Sequence, residues 1–133
     1  MTAITQRFTH ALDYARIAHA AQFRKGTEIP YLYHLMGVAS LVLEHGGNED
    51  QAIAGLLHDL IEDCGEPHAD MIRAQFGDVV ANIVRYHRKT APTLEHGHFK
   101  ALLPRDRLLV NKLCALLRLA DGRLVRDDQR RRA

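Results

Sequence analysis

One short stretch of the chain concentrates ionisable residues inside an apolar helical pattern. It reads Leu56-Leu57-His58-Asp59-Leu60-Ile61-Glu62-Asp63, so His58 lies four residues before Glu62, and Asp59 lies four before Asp63. Residues four apart share a face of a helix, which predicts one continuous acidic patch. Three neighbouring carboxylates repel one another unless a cation, a proton or solvent compensates for their charge. A bound divalent metal ion is the economical explanation.

A metal centre in a helical protein takes further ligands from other helices, and two isolated ionisable residues qualify. His34 stands in an apolar stretch, and Asp121 ends an apolar run, where a carboxylate is hard to bury without a partner. With His58 and Asp59 they make a mixed nitrogen and oxygen set, which suits manganese, iron, zinc, cobalt or magnesium. Each also has an ordinary explanation alone: His34 as a surface residue or a hydrogen-bonded core residue, and Asp121 as a helix end. Only the combination favours a metal site.

A second group of candidate site residues lies at the end of a predicted helix, near residue 87. His87 ends an apolar face, so it is either a buried, hydrogen-bonded histidine or a contact for a substrate phosphate. Arg88 and Lys89 come next in the chain. These two cations are candidates for binding phosphate, although a solvated helix end is the usual meaning of such a run.

Helical periodicity runs through nearly the whole chain, and no alternating strand pattern of useful length occurs. The predicted helices have these bounds: Phe8 to Gln22, Pro30 to Gly46-Gly47, Asn48 or Asp50 to Cys64-Gly65, 67–76, 79–87, and a long helix from Pro104 to Asp121. A loop is predicted between Lys89 and Pro104. The pattern predicts a compact all-α bundle of about six helices, with residues 1–133 in a single domain.

Length and composition agree with one globular domain. The chain has 133 residues, of which 47% are apolar and 26% charged, and a domain of this size needs no disulfides to fold. Cys64 and Cys114 are therefore predicted to be reduced, and the protein to be cytoplasmic. No apolar run reaches the length of a membrane span, so no membrane partner is expected.

The net charge of +2 is the sum of two unlike parts. Residues 1–84 hold five Lys or Arg against eleven Asp or Glu, and residues 85–133 hold thirteen against five. A basic part of this kind is either a surface for polyanions or a solvated tail, and the arginines of residues 125–133 favour a tail. A polyanion-binding module is thus a weak alternative, and a nucleic acid partner is not expected.

Residues 8–84 carry motifs that resemble the HD-domain metal phosphohydrolases. The motifs are Ala20-Ala21-Gln22-Phe23-Arg24-Lys25-Gly26, Pro30-Tyr31-Leu32-Tyr33-His34 and Leu57-His58-Asp59-Leu60-Ile61-Glu62-Asp63. Within that superfamily they are most similar to the hydrolase domain of RelA/SpoT-type alarmone enzymes and their small stand-alone relatives. The resemblance implies one metal ion, usually manganese, held by His34, His58, Asp59 and Asp121.

The same resemblance implies roles for four further residues. Glu62 and Asp63 match the pair that handles the water and the proton transfers, and Arg24 and Lys25 match residues that contact the guanosine nucleotide. Other branches of the superfamily place histidines near the position of His87 to hold a second metal. The implied substrate is a small phosphorylated nucleotide, with (p)ppGpp first.

Residues 83–124 are similar instead to the C-terminal HD-type domain of exopolyphosphatase and guanosine pentaphosphate phosphatase proteins. The chain is thus predicted to be a hybrid, natural or constructed, with an alarmone-hydrolase-like part (1–84), an exopolyphosphatase-like part (85–124) and a basic tail (125–133). Alarmone hydrolases usually carry an asparagine four residues after the last aspartate, and this chain has Val125 there. The leading hypothesis is a metal-dependent phosphohydrolase, and the alternative is an HD fold that binds metal or nucleotide without turnover. Oligomers are compatible with either.

Overall fold

The computed structural model of the chain describes residues 3–86, which form six helices. The helices are α1 (Gln6–Ala18), α2 (Leu32–Glu44), α3 (Glu49–Leu57), α4 (Leu60–Cys64), α5 (His68–Phe76) and α6 (Asp78–Tyr86). Within this range the extended pairing is limited to an isolated bridge between Phe23 and Pro30, so the all-α prediction is confirmed. None of the described helices is both long and apolar enough to cross a bilayer. The long helix predicted after Pro104 lies outside the described residues.

Helix α1 starts with a side-chain cap but ends earlier than predicted. Thr5 caps its first turn by accepting a hydrogen bond from the backbone N–H of Arg7. The helix stops at Ala18, so the prediction that it continues through Gln22 is wrong. The backbone carbonyl of Gln22 accepts a hydrogen bond from the N–H of Tyr31 at 2.9 Å. Gln22 therefore pairs across the connection to α2 instead of within a helix.

The core is centred on the contact between α2 and α3, where Gly55 permits a close approach. A methyl group added at Gly55 would lie 3.2 Å from Cα of Ala39 and 3.4 Å from Cγ1 of Val38. The largest aliphatic side chains buried around this contact are Leu35, Ile53, Leu56, Leu57, Leu60 and Ile83. Burying one such side chain contributes about 1.5–3 kcal/mol, so this layer supplies much of the stability of the fold.

The buried face of α2 is rotated relative to the apolar stripe that periodicity predicts, which is Leu32, Leu35, Met36, Ala39 and Leu43. Leu35 and Ala39 are buried as predicted, but Met36 is 44% exposed. His34, Val38 and Val42 are buried instead. The helix is apolar around most of its circumference, so periodicity alone does not single out the face that meets α3. The rotation carries His34 into the interior.

The predicted third helix is two helices, α3 and α4, with His58 and Asp59 between them. Asn48, one of the two predicted starts, caps α3 through a reciprocal pair of hydrogen bonds with Gln51. At Asp59 the backbone has φ −95° and ψ 1°, a conformation sparsely populated outside turns and active sites. Helical hydrogen bonding resumes when the N–H of Asp63 donates to the carbonyl of Asp59 at 2.9 Å. The expectation of one continuous helix is therefore wrong.

Arg7 on α1 forms hydrogen bonds to two other helices at one end of the bundle. Its guanidinium donates to the carboxylate of Asp50 at 2.7 Å and to the carbonyl of Phe76 at 3.0 Å. These bonds join the start of α1 to the start of α3 and the end of α5. Helices α5 and α6 fall within one or two residues of their predicted bounds, and α6 packs against α3, the helix that leads to His58.

Candidate metal centre

Helix α2 and the turn between α3 and α4 bring two imidazoles and one carboxylate together in the interior. His34, His58 and Asp59 are at most 4% exposed, and their candidate ligand atoms lie within 4.8 Å of one another. Nε2 of His58 is 3.1 Å from Oδ2 of Asp59, and Nε2 of His34 is 3.8 Å from the same oxygen. Imidazole nitrogens combined with a carboxylate oxygen can hold a divalent transition metal ion.

The ring of His58 is oriented by its own helix. Its Nδ1 lies 2.7 Å from the carbonyl oxygen of Gly55, which can only accept, so Nδ1 carries a proton and donates it. In the neutral ring Nε2 then presents a lone pair to the carboxylate of Asp59. Two buried acceptors this close need a proton or a cation between them. Ligating histidines commonly donate their other ring N–H to a carbonyl, so the Gly55 contact fits a metal centre.

Tyr31 holds the carboxylate of Asp59 by donating a hydrogen bond from its hydroxyl to Oδ2. Burial raises the pKa of Tyr31 well above its ordinary value, as do this bond and the charges of Asp59 and Asp63, while Arg24 opposes the rise. Tyr31 therefore stays protonated as a donor. No role for Tyr31 is predicted from the sequence, although its position one turn before His34 is a usable signal.

Removing the hydroxyl of Tyr31 is expected to weaken metal binding. In Tyr31→Phe we expect the affinity for a divalent metal to fall about 10- to 100-fold, the usual loss when a group that orients a ligand is removed. Titration calorimetry of the metal-free protein measures this affinity. Tyr14→Phe is the matched control, because the hydroxyl of Tyr14 pairs with Nδ1 of His68 at 2.7 Å. Equal metal affinities in the two variants would contradict the role of Tyr31.

Arg24 and Lys25, the predicted nucleotide contacts, lie in the connection between α1 and α2. The guanidinium carbon of Arg24 is 5.8 Å from the centre of the Tyr31 ring, within the range of a cation–π contact. Arg24 therefore lies beside the side chain that holds Asp59. Lys25 follows it in the same connection and is exposed. The structure places Arg24 close to the centre and gives Lys25 no direct contact with it among the described residues.

Glu62 and Asp63 lie on α4, directly after the centre, and both are exposed. They do not form the predicted single patch with Asp59, because Asp59 is buried with the imidazoles. Glu62 and His58 line a cleft of about 230 Å³, together with Ile61, Glu66, Val84 and Arg85. Asp63 accepts a hydrogen bond from Nε2 of Gln22 at 3.0 Å. The two carboxylates therefore have different surroundings.

The cleft beside His58 also carries one cation. The guanidinium of Arg85 lies 2.7 Å from the carboxylate of Glu66. The remaining predicted site residues lie outside the described part of the chain, and their roles stay predictions: Asp121, His87, Arg88 and Lys89.

The family follows from a comparison with known families of proteins. The profile of the HD domain family matches residues 11–96. The chain belongs to the HD-domain family. The matched range includes the imidazoles, the carboxylate and the turn of the centre described above. The predicted membership of this superfamily is thus confirmed, whereas the hybrid origin and the junction at residue 84 stay predictions.

Relatives of this HD domain are named for the hydrolysis of guanosine nucleotides. A Xenopus tropicalis protein named guanosine-3′,5′-bis(diphosphate) 3′-pyrophosphohydrolase MESH1 is 39% identical over 90 residues, covering 64% of this chain and 50% of its own. A Synechocystis protein named probable guanosine-3′,5′-bis(diphosphate) 3′-pyrophosphohydrolase is 40% identical over 74 residues, 56% of this chain and 10% of its own. This chain therefore spans half or less of the length of these curated relatives.

The HD domain also has a solved structural neighbour. That structure is described as a metazoan orthologue of SpoT that hydrolyses ppGpp and plays a role in starvation responses. Its TM-score is 0.66 at 26% sequence identity, and the match covers 91% of this chain and 68% of the neighbour. The neighbour supports the all-α fold class.

Proposed function

We propose that this HD domain is a metal-dependent phosphohydrolase that removes the 3′-pyrophosphate from a guanosine bis(diphosphate) such as ppGpp. The observation that carries the proposal is the buried group of His34, His58 and Asp59, which meets a cleft shared by His58 and Glu62. The names of the relatives support the substrate class. Because the chain spans only part of those relatives, the activity is a proposal for this chain.

The proposed metal ligands are His34, His58, Asp59 and, from outside the described residues, Asp121. Two nitrogen and two oxygen donors suit Mn²⁺, our first choice, and also Fe, Zn, Mg or Co. When bound by these residues, such an ion would supply Lewis-acid chemistry, lowering the pKa of water and polarising a phosphoryl oxygen. The hydrogen bonds from His58 to Gly55 and from Tyr31 to Asp59 would hold the ligands in place.

The exposed carboxylates of α4 supply the proposed acid–base chemistry. Asp63 or Glu62 takes the proton of the attacking water, whose oxygen bonds to the phosphorus attached to the 3′-oxygen of the nucleotide. The bond between that phosphorus and the 3′-oxygen breaks, pyrophosphate leaves, and the 3′-oxygen takes up a proton. Overall, ppGpp and water give GDP and pyrophosphate.

The proposed substrate contacts are cationic. Arg24, beside Tyr31, and Lys25 bind the nucleotide, and Arg88 and Lys89 bind its phosphates. His87 is proposed to contact phosphate or a second metal. The cytoplasmic location and the absence of a nucleic acid partner, both expected from the sequence, remain part of this proposal.

Hydrolysis of ppGpp by the purified chain with added Mn²⁺ tests the proposal. We expect GDP and pyrophosphate in equal amounts, separated by anion-exchange chromatography, and no pyrophosphate from GDP, which lacks the 3′-pyrophosphate. Metal bound at one ion per chain without turnover of ppGpp would refute the proposal and favour an HD fold that only binds. Salt-sensitive binding of polyphosphate without metal or turnover would favour the polyanion-binding alternative instead.

A further inference from the structure

A buried histidine outside the metal centre leaves half of its hydrogen-bonding capacity unused. His19, which follows the last residue of α1, is 3% exposed, and its Nε2 has no hydrogen-bond partner within residues 3–86. Its Nδ1 is 2.8 Å from the side-chain oxygen of Gln22. Buried polar side chains usually have hydrogen-bond partners. For the imidazole of His19, the side chain of Gln22 supplies that partner on one ring nitrogen.

The direction of the hydrogen bonds is set by Asp63. Nε2 of Gln22 lies 3.0 Å from Oδ2 of Asp63, and an ionised carboxylate only accepts, so the amide nitrogen donates. The amide oxygen of Gln22 is then left to accept, so Nδ1 of His19 carries the proton. The three side chains form a directed chain of donors that runs from His19 through Gln22 to Asp63.

The imidazole at the start of this chain is packed in place. Its ring centre is 5.2 Å from that of Tyr31, and its Nδ1 is 3.8 Å from Sγ of Cys64. The thiol of Cys64 donates to the carbonyl of Ala18 at 3.4 Å, which joins α4 to the end of α1. His19 therefore contacts both α4 and the tyrosine that holds Asp59.

We propose that His19 and Gln22 are positioning residues that hold the carboxylate of Asp63 in the orientation needed for proton transfer. This rests on the proposed function, and it assigns to Asp63, of the two candidates Asp63 and Glu62, the proton of the attacking water. The side chain of Asp63 is exposed on a helix of five residues, so without a donor it is free to change rotamer. Proton transfer requires the carboxylate to stay within hydrogen-bond reach of the water. His19 acts by fixing the amide of Gln22.

Two substitutions of Gln22 test the bond to Asp63. Gln22→Glu keeps an acceptor for His19 but loses the donor to Asp63, and Gln22→Met keeps the length and loses both. We expect each substitution to lower kcat for ppGpp about 10- to 100-fold, because a badly oriented Asp63 loses part of the rate gain that a general base contributes. KM should change less than about twofold. Metal content should stay at that of the unaltered protein, and Gln75→Met, an exposed glutamine on α5, should be unaffected. An unchanged kcat in Gln22→Met, or a loss explained by lost metal, would overturn the proposal.

Substitutions of His19 test the first step of the chain. His19→Asn retains an N–H near the position of Nδ1, and His19→Phe does not. We expect His19→Asn to keep kcat within about threefold of the unaltered protein, and His19→Phe to lower kcat as much as Gln22→Met does. The double variant that combines His19→Phe with Gln22→Met should have a kcat no lower than either single variant. Independent, multiplying losses in the double variant would overturn the coupling, as would equal defects in His19→Asn and His19→Phe.

A measurement without substrate separates this inference from the proposed function. A buried, hydrogen-bonded imidazole N–H exchanges slowly and is visible in proton–nitrogen NMR spectra of labelled protein. We expect this signal from Nδ1 of His19 in the unaltered protein and in Gln22→Glu, and its loss in Gln22→Met. The expected pattern in a protein that does not hydrolyse ppGpp would support the hydrogen-bonded chain while refuting the proposed function. Absence of the signal from an active protein would refute the chain alone.

Discussion

Asp59→Asn is expected to lose metal binding and at least about 10³-fold in kcat/KM for ppGpp. Asparagine has the shape of aspartate, so the packing of the turn is preserved while the charge that faces Nε2 of His58 and of His34 is removed. A bound metal contributes several kcal/mol to the stabilisation of a phosphoryl transfer, and about 4 kcal/mol corresponds to a factor of about 10³ in rate. The measurements are pyrophosphate release and elemental analysis after dialysis.

Asp70→Asn is the matched control for this substitution. Asp70 is an exposed carboxylate on α5, so the same chemical change there should leave metal content and turnover unaltered. A variant Asp59→Asn that kept one metal ion per chain and the full rate would exclude Asp59 as a ligand. Loss of the metal with retained turnover would show that hydrolysis does not depend on this centre.

Gly55→Val is expected to reduce both the stability of the fold and its affinity for metal. Even a methyl group at Gly55 would meet the backbone of Ala39 at 3.2 Å, so a larger side chain must push α2 away from α3. Overpacking of this kind costs about 1–3 kcal/mol. Because His34 is carried by α2 and His58 follows α3, with ring centres 5.5 Å apart, we also expect metal affinity to fall at least about tenfold.

Urea unfolding in the presence of EDTA measures the free energy of unfolding of Gly55→Val without a contribution from metal. Titration calorimetry measures its affinity for metal. Gly55→Ala should change stability little, since a gain in helix propensity of about 1 kcal/mol opposes the smaller packing cost. Ala74→Val, at an exposed position of α5, controls for the propensity of valine. Equal unfolding midpoints for Gly55→Val and Ala74→Val would show that the helices separate without cost.

The helices could largely be predicted from the sequence because apolar periodicity and caps are local signals. Asn48 is one of the two starts predicted for α3, and α6 begins one residue before its predicted bound. The break at His58 and Asp59 could not be predicted in this way. Its cause is tertiary, since the carboxylate is bound by Tyr31, 28 residues earlier in the chain, and such contacts override local helix propensity.

The candidate centre could be predicted in part, because some of its residues contrast with their neighbours in the sequence. His34, His58 and Asp59 stand out as ionisable residues in apolar surroundings, and that contrast is visible in the sequence. Gln22 carries no such contrast, because a glutamine near a predicted helix end is ordinary. Its contact with Asp63 joins residues 41 positions apart, and only the folded chain brings them together.

The connection between α1 and α2 has a consequence for how recombination could change this protein. His19, Gln22 and Tyr31 lie in or beside that connection. The hydrogen bonds from His19 to Gln22, from Gln22 to Asp63, from Tyr31 to Asp59 and from His58 to Gly55 all lie within residues 19–63. A recombination that exchanged the chain after this span would keep these four hydrogen bonds together with His34, His58 and Asp59. The later sequence would then have to supply the helix that packs on α3 and the cleft residues Glu66, Val84 and Arg85.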